Sequence, residues 1–290
     1  MDTAFNAAYD QMMHVLAARG MEWARHRFED LPDPLSADHP SVAALSQAAR
    51  FAPVCSGLRG KVSPLEIFVR LRLDDRLVDE ACAFAEGSNP DRATVDLLAA
   101  AQGMGIGDSV RVHRAVKTIR RRDDLDLAQR LALQTLPEPH LLAEAEEWLR
   151  TPMQSRCITP DRADLFGRVL MQLYGFGARR PKFASPRTYG EIFDNCLLIA
   201  DWATAGKHLK ALAQIVYCIR LIDPDHDVRP WLAEVIASQR PDGSFPARTG
   251  FGTADQDLEG AGQATIMAIA ALHIALYGRW RNPPQDRLAA

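Results

Sequence analysis

The chain has 290 residues, 47% of them hydrophobic, enough apolar material to bury a large core as one domain or two closely packed halves. Its 34 basic residues face 37 acidic ones, a formal net charge of −3, so no whole-chain field draws it to nucleic acid or to an anionic membrane. Cys55, Cys82, Cys157, Cys196 and Cys218 are odd in number, scattered and free of any CxxC pair, which excludes a disulfide framework or compact zinc knuckle and favours buried reduced thiols.

Met1-Asp2-Thr3-Ala4 lacks the basic start and apolar core of a signal peptide, and no stretch reads as an uncharged membrane span, so the expectation is a cytoplasmic protein without membrane insertion. Apolar residues then recur at helical spacing: Ala7, Met12, Val15 and Leu16; further on Leu165, Val169, Leu170 and Leu173; then Leu209, Leu212, Ile215 and Val216. Sustained two-residue alternation is missing. Breaks fall at 31–40, 87–90, 103–107, 137–139, 159–160, 175–186 and 240–262, and about a dozen helices fit between them. Arg120-Arg121-Arg122 is followed at once by Asp123-Asp124, the pattern of a solvated helix end. Nothing specifies an oligomer. The fold class is all-α, in one domain over 1–290, with degenerate repeats in 1–186 and clearer ones in 187–290.

Trp23, Trp148 and Trp231 each precede a turn-rich stretch, and their separations of 125 and 83 residues approach three and two units of about 42, the length of one helix pair. Such a period suits an open HEAT-like solenoid as well as a closed double ring of helices. The turn Gln239-Arg240-Pro241-Asp242-Gly243-Ser244-Phe245 decides between them. Pro241 cannot continue a helix, Gly243 permits a positive-φ turn, and Phe245 anchors the returning chain. This stretch resembles the QxxDGSW-type repeat of the terpene-cyclase-like α/α toroids, which include squalene and hopene cyclases and protein prenyltransferase β subunits, with Phe245 where Trp is usual. The resemblance covers roughly 207–277. It implies an α/α toroid, possibly incomplete, with Gln239 accepting from free N–H groups at the start of the next inner helix. Inner helices of such a fold are apolar around most of their circumference. The 263–277 segment meets that requirement, with His273 its one ionisable group before Tyr277, and 209–222 is similar but carries Lys210 and Arg220.

In the resembling enzymes, reactive groups come from loops leading into inner helices. The corresponding loop here holds Asp255, Asp257 and Glu259, whose closeness could raise one carboxyl for acid–base work, with helix capping and a solvated acidic loop as the plain structural alternative. Asp194 and Asp201, seven apart, share a helix face, and His208 follows by seven more unless Gly206 ends the register. Asp201 and His208 are therefore assisting candidates. Asp223-Pro224-Asp225-His226-Asp227 echoes the DxDD motif of class II cyclases but reads better as a turn with capping, and Asp164 reads as a capping or first-turn acid. The prenyltransferase zinc set lacks its cysteine around 263–265, and the Cys-His-Gly element of lanthionine cyclases is absent, so no metal is assigned and no cofactor is specified. The aromatics between Tyr174 and Phe193, interspersed with Arg179, Arg180, Lys182 and Arg187, suit either hairpin packing or an anionic or peptide-like substrate.

The expected function is a small toroid enzyme using acid–base chemistry in a central cavity on a small or prenyl-like metabolite, of cyclase, isomerase or lyase type. The alternative is a non-catalytic helical-repeat accessory protein that binds a peptide or a partner enzyme in a biosynthetic pathway.

Overall fold

Thirteen α-helices and two short 3₁₀ turns, with no strand among them, form residues 3–87, 92–248 and 258–278, the parts that the computed structural model describes. The all-α class expected from the sequence is what the chain adopts. The helices are α1 (Thr3–Glu29), α2 (Val42–Arg59), α3 (Pro64–Arg72), α4 (Asp75–Gly87), α5 (Arg92–Met104), α6 (Ser109–Ile119), α7 (Leu127–Ala132), α8 (Pro139–Arg150), α9 (Pro160–Leu173), α10 (Pro186–Ala205), α11 (Leu209–Ile222), α12 (Arg229–Ala237) and α13 (Leu258–Tyr277). Several start where a hydroxyl or carboxylate precedes proline or a polar first turn. Ser63, Thr159 and Ser185 each accept a backbone N–H ahead of a proline-led helix, and Asp126 forms a reciprocal capping box with Gln129.

Packing sorts these helices into two groups. α2 packs against α5, α5 against α7, α7 against α9, α9 against α11, α11 against α13, and α13 against α2, so the succession of neighbours returns to its start. The remaining helices rest on these six: α1 on α13, α3 on α2, α4 and α6 on α5, α8 on α9, α10 on α11, and α12 on α11 and α13. Burial follows the same division. α11 and α13 bury residues all around their circumference, whereas α3 buries only Leu65 and Val69, and α12 only Leu232 and Val235. Trp23, Trp148 and Trp231 all fall on helices of the second group. Contacts one repeat apart join successive units within each group: Arg168 bonds Asp126 in the first, while Thr188 bonds Glu146 and the Met153 amide bonds Asn195 in the second, each pair 42 residues apart.

The turn at 239–245 joins the two ends of the chain. Gly243 adopts φ 97°, and a Cβ there would stand 2.6 Å from the Arg19 carbonyl oxygen of α1. Asp242 accepts from the Ser244 amide and hydroxyl, Arg19 donates to the Pro241 carbonyl at 2.6 Å, and the buried Phe245 amide donates to Thr265 Oγ1 of α13 at 2.9 Å. Gln239 behaves differently from the expectation. Its amide nitrogen donates to the carbonyls of Leu16 and Gly243, so it fastens the turn to α1 instead of accepting from the start of α13. By length and composition alone α13 could cross a bilayer, and most of it is buried inside the fold.

Candidate functional site

Five of the six helices of the closed succession line a cavity of about 350 Å³. α2, α5, α11 and α13 reach it mainly through their amino-terminal halves and α9 through residues from Asp164 to Gln172, with Gln47, Asp96, Asp164, Lys210 and Gln263 among its walls. A second space of about 320 Å³ is lined by later residues of α2, α5 and α9, and Arg50, Gln172 and Phe176 border both. These helices therefore run in the same sense, with their amino-terminal, electropositive ends gathered at the first cavity.

Charge is concentrated there. Asp164 accepts from Arg92 Nη2 at 2.8 Å, Arg168 Nε at 3.0 Å and Lys210 Nζ at 3.1 Å. Burial alone would raise its carboxyl, but the fields of Lys210, Arg92 and Arg168 prevail and hold it well below the usual carboxylate range. Arg168 continues to Asp126 at 2.8 Å, and Lys210 donates to Gln263 Oε1 at 2.7 Å. Asp96 shares the cavity but not the cluster. Burial pushes its carboxyl up, against the opposing charges of Arg92, Arg50 and Arg168, and its closest cation is Arg92 Nε at 3.7 Å. Two acids in one cavity are thus driven in opposite directions. Gln214 fits because residue 167 is glycine: a Cβ at Gly167 would lie 2.6 Å from its carboxamide.

The acids anticipated from the sequence lie elsewhere. Asp255 and Asp257 fall outside the described residues. Glu259 occupies the first turn of α13 and is exposed. Asp201 is exposed on α10, where it accepts from Trp231 Nε1 at 3.2 Å, and Asp194 borders a surface groove with Glu147 and Arg150. α10 ends at Ala205, so His208 leaves the register of those two acids; it stacks on Trp202 at 4.5 Å, and burial, then Arg248, lowers its imidazole. Neither Asp201 nor His208 lines the central cavity. The Asp223–Asp227 stretch is a turn: Asp225 N–H donates to Asp223, and the paired hydrogen bonds from Arg229 hold Asp227 down to about 2. Of the aromatic loop, Phe176 alone reaches the cavity; Arg179 donates to the carbonyls of Leu173, Thr135 and Gln172, and Arg180 covers Tyr189.

Arg50, Arg92, Asp96 and Arg168 carried no functional assignment from the sequence, and Asp164 was read as a cap. The available signal was Lys210, a charge in the first turn of a largely apolar helix. Among the described residues, no group of three or more His, Cys, Asp or Glu could hold a metal ion. Four thiols are buried and Cys157 is exposed, all unbridged. No protein-family model, curated protein or solved structure significantly matches this chain.

Proposed function

We propose that the chain is an α/α toroid enzyme whose central cavity takes a small metabolite and performs acid–base chemistry on it. The closed succession of six parallel helices, with the other helices resting on them, supports the toroid reading. The observation that carries the functional reading is the Asp96–Asp164 pair, one carboxyl raised by burial and the other held ionised by three cations, both lining one cavity. Environments that push two acids apart assign roles: Asp96 retains its proton to a higher pH and acts as the donor, while Asp164 stays charged and fixes Arg92, Arg168 and Lys210. Those cations then stabilise negative charge that develops on the substrate. Protonation, isomerisation and elimination all fit this arrangement.

Incubating the purified chain with a small-metabolite extract and following depletion by mass spectrometry tests it. The wild type should consume a component that Asp96→Asn consumes about 10²–10⁴-fold more slowly, while Asp201→Asn matches the wild type. Equal consumption by Asp96→Asn, or none by the wild type, refutes the reading.

A second reading, a non-catalytic accessory protein, draws on Ile67 and Leu71, one turn apart on α3 and exposed, next to exposed Val62.

A further inference from the structure

The cavity's four cations are not equivalent. Arg92, Arg168 and Lys210 are neutralised by Asp164, and Arg168 also by Asp126. Arg50 stands apart. It rises from the middle of α2, its guanidinium lies 5.0 Å from the centre of the Phe176 ring, and it donates to the neutral Gln172 Oε1. Among the described residues, no carboxylate lies within ion-pair distance of it; Asp96 acts on it only through its more distant charge. A partly buried cation without a counter-ion is costly, and its cost falls when an anion completes the site.

Two glutamines that line the same space carry orphan acceptors. Gln214, 3% exposed, donates its Nε2 to the Asp164 carbonyl at 3.2 Å, which leaves Oε1 buried without a partner. Gln47 turns its Nε2 towards Met267 Sδ, and its Oε1 is likewise unpartnered. The same lining has an apolar part, Phe51 and Met171 with the Phe176 ring. A buried polar group without a partner calls for one, and a cavity of this size suits a small molecule.

We propose that the cavity binds a small molecule through one oxyanion group, carboxylate or phosphate, seated on Arg50, with ligand N–H or O–H groups on Gln47 and Gln214 and its apolar part against Phe51, Met171 and Phe176. This rests on the cavity reading above and names the substrate class. A planar guanidinium offers two parallel donors to such a group, which lysine cannot reproduce.

Benzoate and phenyl phosphate are the probes, each titrated calorimetrically into the full chain. Saturable one-to-one binding of at least one is expected, and the tighter probe distinguishes carboxylate from phosphate. Arg50→Gln should weaken it by about tenfold or more and Arg50→Lys less, while Gln47→Leu weakens a probe carrying an ortho hydroxyl, salicylate, relative to benzoate. The ligand-free Arg50→Gln chain should melt no lower than the wild type, and higher by about 2–4 °C where the unpaired charge had cost about 1 kcal/mol. Failure of both probes to bind the wild type overturns the proposal, as does affinity unchanged in Arg50→Lys and Arg50→Gln. If Arg50→Gln does not fold, unchanged affinity in Arg50→Lys is the refuting result. Binding that ignores Arg50 alongside activity lost in Asp96→Asn would remove this assignment and leave the acid–base reading standing; the reverse pattern would do the opposite.

Discussion

Removing the carboxylate of Asp164 would leave Arg92, Arg168 and Lys210 facing one another with only Asp126 and the more distant Asp96 to offset them. Breaking a partly buried ion cluster from one side costs up to about 3 kcal/mol, whereas an exposed pair such as Arg150–Glu147 contributes little. Asp164→Asn should therefore lower the urea midpoint far more than Glu147→Gln. The pH response carries a sign. Asp164 is held below its unfolded value of about 3.9, so its contribution is present above that pH and fades as acid titrates the folded carboxyl; the variant should lack this acid limb. Comparable urea midpoints for the two variants would refute the cluster's structural weight. Why this centre escaped the sequence is visible in its spacing. Arg92 and Asp96 are four apart, as are Asp164 and Arg168, and oppositely charged residues four apart also lace the solvent face of an ordinary helix. Only tertiary structure reveals that this face lines a cavity.

At the scale of the element, α13 completes the succession of neighbouring helices, contacting α1, α2 and α11. Its 263–277 portion was legible as a ring helix because it is apolar on every side. Its true start at Leu258 was not, since Gly260 and Gly262 spell a loop. Gly262 is instead a close-packing residue: a Cβ there would stand 2.9 Å from Ala44 Cβ of α2. The same helix carries a buried titratable group. His273, 2% exposed, donates Nδ1–H to the Ile269 carbonyl at 2.8 Å, and burial pushes its imidazole down to about 4 despite that hydrogen bond, with Arg59 and His14 pushing the same way. The unfolded chain therefore binds the proton first as pH falls, so stability should drop between about pH 6.5 and 4, by up to about 3 kcal/mol from this residue. Thermal unfolding of His273→Leu across that range should show a flatter slope than the wild type. An identical slope would mean that His273 is already accommodated as a cation.

For the molecule as a whole, the decisive join is the one between its first helix and its last quarter. The 239–245 turn was the most readable feature of the sequence because backbone chemistry dictates it: proline ends a helix, and glycine takes a dihedral that other residues resist. What the sequence could not supply was the partner, since Arg19, Leu16 and Thr265 lie 20 to more than 220 residues away. Gly243→Ala imposes both a positive φ of 97° and a contact of 2.6 Å with the Arg19 carbonyl, which is backbone and cannot rotate aside. The dihedral alone costs about 1–3 kcal/mol. Gly103→Ala supplies the control, since it lies within α5 with open space around its Cβ position and should be neutral or stabilising by up to about 1 kcal/mol. Because the turn clasps α1 and packs Phe245 on α13, hydrogen-exchange protection should fall in both helices together in Gly243→Ala. Protection unchanged in α1, or a midpoint equal to that of Gly103→Ala, would show that the turn is only a surface loop and that the ring stays closed without it.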